Sequence, residues 1–90
     1  MTMATSIIIN DDQDNGLEIK SDSDIVDVTD EASGERTLTV NAPYDVYPPL
    51  TEEPCYFIPG NANINGDIIS CSSVTVVEHK DQNVEITIKG

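Results

Sequence analysis

Val84, Ile86 and Ile88 alternate with Glu85, Thr87 and Lys89 along the last stretch of the chain. Side chains that change face at every residue belong to a β-strand with one buried and one wet face. A second apolar run, Val74–His79, precedes it, and Lys80-Asp81-Gln82-Asn83 joins the two, so residues 73–89 read as a β-hairpin. No window of the chain offers the i, i+3, i+4 apolar spacing that an amphipathic helix requires. The aliphatic residues agree: 11 Ile and 8 Val stand against 3 Leu. Branching at Cβ stiffens χ1 and suits a pleated surface better than a helix.

The same logic places further strands at Ser6–Asn10, Leu17–Lys20, Ile25–Thr29, Arg36–Asn41 and Ile68–Cys71. Ile7-Ile8-Ile9 is a continuous apolar run, which predicts a strand buried on both faces. It should pair with Leu17–Lys20 across the acidic turn Asp11-Asp12-Gln13-Asp14-Asn15-Gly16. In Ile25–Thr29, Val26 and Val28 share one face; in Arg36–Asn41, Leu38 and Val40 point inward. Thr29–Glu35 is the longest stretch a helix could claim, but it is polar throughout and broken by Gly34. Asn61–Asn65 reads as turn-rich, and Asn65-Gly66 between Ile64 and Ile68 is a tight-turn signal.

One segment departs from this pattern. Residues 43–60 hold all five prolines (Pro43, Pro48, Pro49, Pro54, Pro59) and all four aromatics (Tyr44, Tyr47, Tyr56, Phe57). Proline lacks the N–H that a helix or an interior strand needs, so at most a brief edge strand fits, at Cys55–Ile58. A stiff connection crossing between sheets accounts for the segment, its rings capping the core. A docking arm accounts for it too, with Tyr44, Tyr47, Pro48, Pro49, Tyr56 and Phe57 as the partner-binding residues. The fold expected is a single all-β domain over residues 1–90: a small antiparallel β-sandwich or barrel of seven or eight short strands with a Pro/aromatic-rich crossing segment. A short β-solenoid is the alternative, because apolar pairs recur at Val26/Val28, Leu38/Val40, Val74/Val76 and Val84/Ile86, though at irregular intervals.

Charge narrows the function. Seventeen acids face four bases, a net of −13, and residues 1–36 carry −8 of it. Counterion release at phosphates needs Lys and Arg, so direct nucleic-acid binding is not expected. Neither is a membrane partner: no apolar run approaches the roughly 18 residues of a spanning helix. The start MTMATSIIIN lacks the basic region of a secretory signal. A protein partner fits better, either further copies of the chain or a basic protein surface. Asp11, Asp12, Asp14, Asp22, Asp24, Asp27 and Asp30 form the candidate acidic surface. If Asp22 and Asp24 lie on a strand, they share one face about 6.7 Å apart, a spacing that could mimic a phosphate row.

Reactive sets are poorly supported. The single histidine, His79, sits at a strand end, and the many Ser and Asp residues make any proposed triad uninformative. Cys55 and Cys71 with His79 match no zinc spacing, and both cysteines are expected to be reduced and buried. Asp11–Gly16 resembles the opening of an EF-hand loop, but Glu18 falls where an apolar residue belongs and Asp22 where a bidentate Glu belongs. No cofactor is expected. The sequence therefore points to a non-enzymatic structural or interaction protein that assembles with itself or decorates a larger assembly. Its composition suits a small phage or viral protein, acting in the host cytoplasm or in a particle. An acidic inhibitor of a nucleic-acid-binding site and a calcium-dependent binding module are the alternatives.

Overall fold

The computed structural model describes residues 5–10, 16–47, 49, 54–79 and 82–90. They form an all-β domain of two antiparallel five-stranded sheets. The strands are β1 (Thr5–Asn10), β2 (Gly16–Ser21), β3 (Val26–Thr29), β4 (Arg36–Asn41), β5 (Tyr44–Tyr47), β6 (Cys55–Phe57), β7 (Asn61–Ile64), β8 (Asp67–Ser70), β9 (Ser73–His79) and β10 (Asn83–Lys89). Sheet one runs β5-β2-β1-β7-β8, and sheet two runs β3-β4-β10-β9-β6.

Among the described residues there are ten strands, where seven or eight were expected. The additional ones are β5, bracketed by prolines, and β7, whose sequence NANI is poor in β-formers. Both are held by a neighbour: β5 pairs with β2, and β7 pairs with β1 and β8. Tertiary pairing overrode the weak local preference of each. The antiparallel ladders and the two separate sheets also dispose of the barrel and solenoid alternatives. Thr29 ends β3, and residues 30–35 are a turn, closed by the Asp30 and Gly34 backbones, and not a helix.

The sheets meet over one apolar layer. Ile7, Ile9, Leu17 and Ile19 from sheet one face Leu38, Val40, Val74, Val76, Val84, Ile86 and Ile88 from sheet two, all buried. Full burial of such a side chain stabilises by about 1.5–3 kcal/mol, so this layer holds the fold. The expectation that Ile7-Ile8-Ile9 is buried on both faces is corrected. Ile7 and Ile9 are buried, but Ile8 is half-buried on the outer side, where no strand among the described residues is stacked on the sheet. Val26 and Val28 do share a face; it is the outer one, and both are exposed.

Two tight places explain local sequence. At the β1–β2 hairpin, Asn10 pairs with Gly16, and a Cβ on Gly16 would crowd the Asn10 side chain and stand 3.2 Å from Ile9 O. At the β7–β8 hairpin, Asn65 and Gly66 take φ of 53° and 92°. Two consecutive positive φ values match the turn that suits the right-handed twist of paired strands, and Asn-Gly accommodates them at least cost. Asn65 also fixes the turn to β1: Ser6 N donates to its Oδ1 at 2.7 Å, and its own N donates to Ser6 O at 2.8 Å.

Candidate functional site

The proline–aromatic segment is a crossing between sheets. β5 lies at one edge of sheet one and β6 at one edge of sheet two. Because strands alternate, each sends one ring inward and one outward. On β5, Tyr44 lies opposite the buried Ser21 and points inward, while Tyr47 lies opposite Glu18 and is 77% exposed. On β6, Phe57 lies opposite Val74 and is 6% exposed, while Tyr56 lies opposite Thr75 and is 61% exposed. Thus the five predicted partner-binding residues that are described do not form one patch. Tyr44 and Phe57 belong to the interior, Tyr47 and Tyr56 lie on opposite outer faces, and Pro49 is exposed. Pro48 lies outside the described residues.

Tyr44 reaches across the sandwich. Its hydroxyl donates to Glu78 Oε2 of β9 at 2.7 Å, joining the two sheets at the end of the core. Beside it, the buried Ser21 hydroxyl lies 2.7 Å from Pro43 O and 3.1 Å from Asn41 O, and accepts from Ser23 N at 3.0 Å. The Ala42–Pro43 peptide is cis at this corner. A shallow depression of about 140 Å³ opens here, lined by Lys20, Asp22, Pro43, Tyr44 and Asp45. Its charges are mixed and its walls largely exposed.

The acidic surface is dispersed. Asp22 and Asp24 lie in the bend between β2 and β3, not on a strand, so the expected strand spacing does not apply to them. Asp27 is on β3 and pairs with the Arg36 guanidinium, a contact that raises the Arg36 pKa, burial opposing it. Asp30 caps its own turn, accepting from Ala32 N at 2.9 Å. Asp11, Asp12 and Asp14 fall outside the described residues. Among the described residues, no group of three or more His, Cys, Asp or Glu is placed to hold a metal ion. No helix there is long and apolar enough to cross a membrane. The described bases are also engaged: Lys20 with Glu18 at 3.1 Å, Arg36 with Asp27, and Lys89 with Glu35 at 3.6 Å.

His79 stands at the open end of β9, and its Nε2 lies 2.9 Å from Glu85 Oε1 with both side chains about half exposed. Cys55 and Cys71 are not bridged to each other. Cys71 is buried, and its burial pushes the thiol pKa up; Cys55 is only half-buried.

Sequence reasoning missed the outer face of sheet two. The registers align Val28, Thr37, Thr87, Thr75 and Tyr56 in one row across all five strands. Val26, Thr39, Glu85 and Val77 form the next row. Glu85 is the single carboxylate in these two rows, and His79 answers it. Alternation alone turns Thr37, Thr39 and Thr87 outward one by one; only the register shows that they join Thr75 in a continuous tract. Comparison of the chain with protein-family models, curated proteins and solved structures returned no match.

Proposed function

We propose that this protein is a non-enzymatic structural subunit that acts by protein contact and assembles with copies of itself, the outer face of sheet two forming the contact. The observation that carries this reading is the charge of that face. On a chain of net charge −13, its two central rows hold one carboxylate, paired with a histidine, among Thr, Val and Tyr. Copies of so acidic a chain repel each other wherever their carboxylates converge. The least costly approach is through the face that carries fewest of them. Tyr56 and Val28 stand exposed at opposite edges of this face, and tyrosine supplies apolar area with a polar tip where an interface meets water.

Size is consistent with the reading. The five strands, three to seven residues long and about 4.8 Å apart, make a face of roughly 440 Å². Two such faces in contact bury about 900 Å², the size of a weak, concentration-dependent contact. Light scattering across micromolar concentrations tests the idea. The expected result is a mass above the 9.8 kDa chain, rising with concentration and reduced by Tyr56→Asp or Val28→Asp. A strict monomer, or an oligomer indifferent to both substitutions, rules the contact out.

A further inference from the structure

We infer that the free edge of β8 is a second self-association site, at which the β8 strands of two copies pair antiparallel and join their first sheets into one. The inference extends the self-assembly reading but rests on different residues. The sandwich has four sheet edges: β3, β5, β6 and β8. An exposed edge is a template for another strand, and proteins block such edges with proline or charge. β5 follows Pro43 and precedes Pro48 and Pro49; β6 is bracketed by Pro54 and Pro59. β3 carries the Asp27–Arg36 pair and is flanked by Asp24, Asp30 and Glu31. β8, with the sequence DIIS, has no proline and a single charge, Asp67 at its first residue, and Ile68 on it is 71% exposed. Among the described residues, no strand lies beyond it.

The hairpin fixes which backbone groups are available. A two-residue turn makes Ile64 and Asp67 a hydrogen-bonded pair, so Asp67 and Ile69 direct their N–H and C=O toward β7. Cys71 continues that series, donating its N–H to Gly60 O at 3.0 Å. Ile68 and Ser70 therefore direct theirs away from the sheet. In an antiparallel pair, Ile68 of one copy opposite Ser70 of the other, and the reverse, forms four backbone hydrogen bonds about a two-fold axis. Ile69 then meets Ile69 on the inner face, prolonging the apolar layer.

Charge selects this register. It places the Asp67 carboxylates of the two copies four residues apart along the strands, about 13 Å, beyond the physiological Debye length of about 8 Å. Sliding the strands so that Ile68 faces Ile68 brings those carboxylates to about 8 Å across the ladder. The paired edge thus holds its one acid per copy at opposite ends.

The two contacts use different faces, so together they carry assembly past a dimer. Light scattering on the wild type, Ile68→Lys, Tyr56→Asp and the double variant tests this. Ile68→Lys places charge on an already exposed side chain and should leave the fold intact, with a circular-dichroism spectrum checking that it does. We expect the wild type to exceed a dimer, each single variant to stop at a dimer, and the double variant to be monomeric. An Ile68→Lys mass equal to that of the wild type overturns the edge contact. A Tyr56→Asp mass equal to that of the wild type, with Ile68→Lys reduced, overturns the face contact alone. The register has its own probe. Ile69→Cys should give a covalent dimer on mild oxidation, since directly opposed non-hydrogen-bonded residues lie about 4.5 Å apart. Ile68→Cys should not, and a reversal of these two results also sinks the proposed pairing.

Discussion

β5 and β6 come from the same proline-bracketed segment, each sits at a sheet edge, and each turns one ring toward the other sheet. They hold the sandwich in different ways. Phe57 of β6 is buried in the common apolar layer with Val74 and Ile88. Tyr44 of β5 is only half-buried and joins the sheets by its hydroxyl, through Glu78 of β9. One edge is held by area removed from water, the other by a polar bond at the rim. The difference reflects chemistry: a Tyr needs a partner for its hydroxyl at the core's end, whereas a Phe can enter the layer completely.

Removing the apolar tie should have the largest effect. Phe57→Ala deletes a buried ring and leaves a cavity, and such changes cost about 3–5 kcal/mol. Because Phe57 lies at an edge that can partly collapse, the lower end of that range is expected. Urea titration checks it through a fall in midpoint at unchanged slope. A loss below about 1 kcal/mol would mean that β6 does not contribute to the common core.

Cutting the polar tie should cost less. Tyr44→Phe keeps the ring and removes one hydrogen bond to a carboxylate, a contact worth about 1.5–3 kcal/mol at its strongest. Half-burial lets water replace part of it, so about 1 kcal/mol is expected. If the bond is the mechanism, Glu78→Ala should add little to Tyr44→Phe, and a double-mutant cycle measures that coupling. Full additivity would show that Tyr44 acts through its ring alone.

Most of this contrast could be read from the residues, but not its geometry. The alternation in Val84–Lys89 and Arg36–Asn41 marked the buried faces of β10 and β4 correctly, because a period of two has only two solutions. Asn65-Gly66 marked its turn for the same kind of reason: few dipeptides tolerate two positive φ values. β7 was illegible, since Ala62 and Ile64 are fixed by β1 alongside and not by their Asn neighbours. The ring residues were legible as a group and misleading as a patch. Alternation within each strand and the crossing between sheets separate Tyr47 from Tyr56, and neither effect is visible without knowing which strand joins which sheet. The carboxylate-poor face was hidden likewise, because Thr37, Thr75 and Thr87 become neighbours only through the β4–β10–β9 register.

Alkaline pH sharpens the contrast with the smallest effect, because it acts on the apolar layer through Cys71. Cys71 belongs to the same buried cluster as Phe57, and desolvation raises its pKa above the ordinary 9.0. A raised folded-state value means that the unfolded chain loses this proton first. The contribution to stability is therefore complete below pH 9 and is lost as pH rises through the higher folded-state value. Melting temperatures should be level from pH 7 to about 8.5 and fall beyond it, more in the wild type than in Cys71→Ala, whatever the difference between the two at neutral pH. Holding the upper limit near pH 9.5 keeps the scan below the ordinary range of tyrosine ionisation. Parallel curves for the two proteins would show that the Cys71 thiol ionises as readily folded as unfolded, and the layer around it would then be open to water.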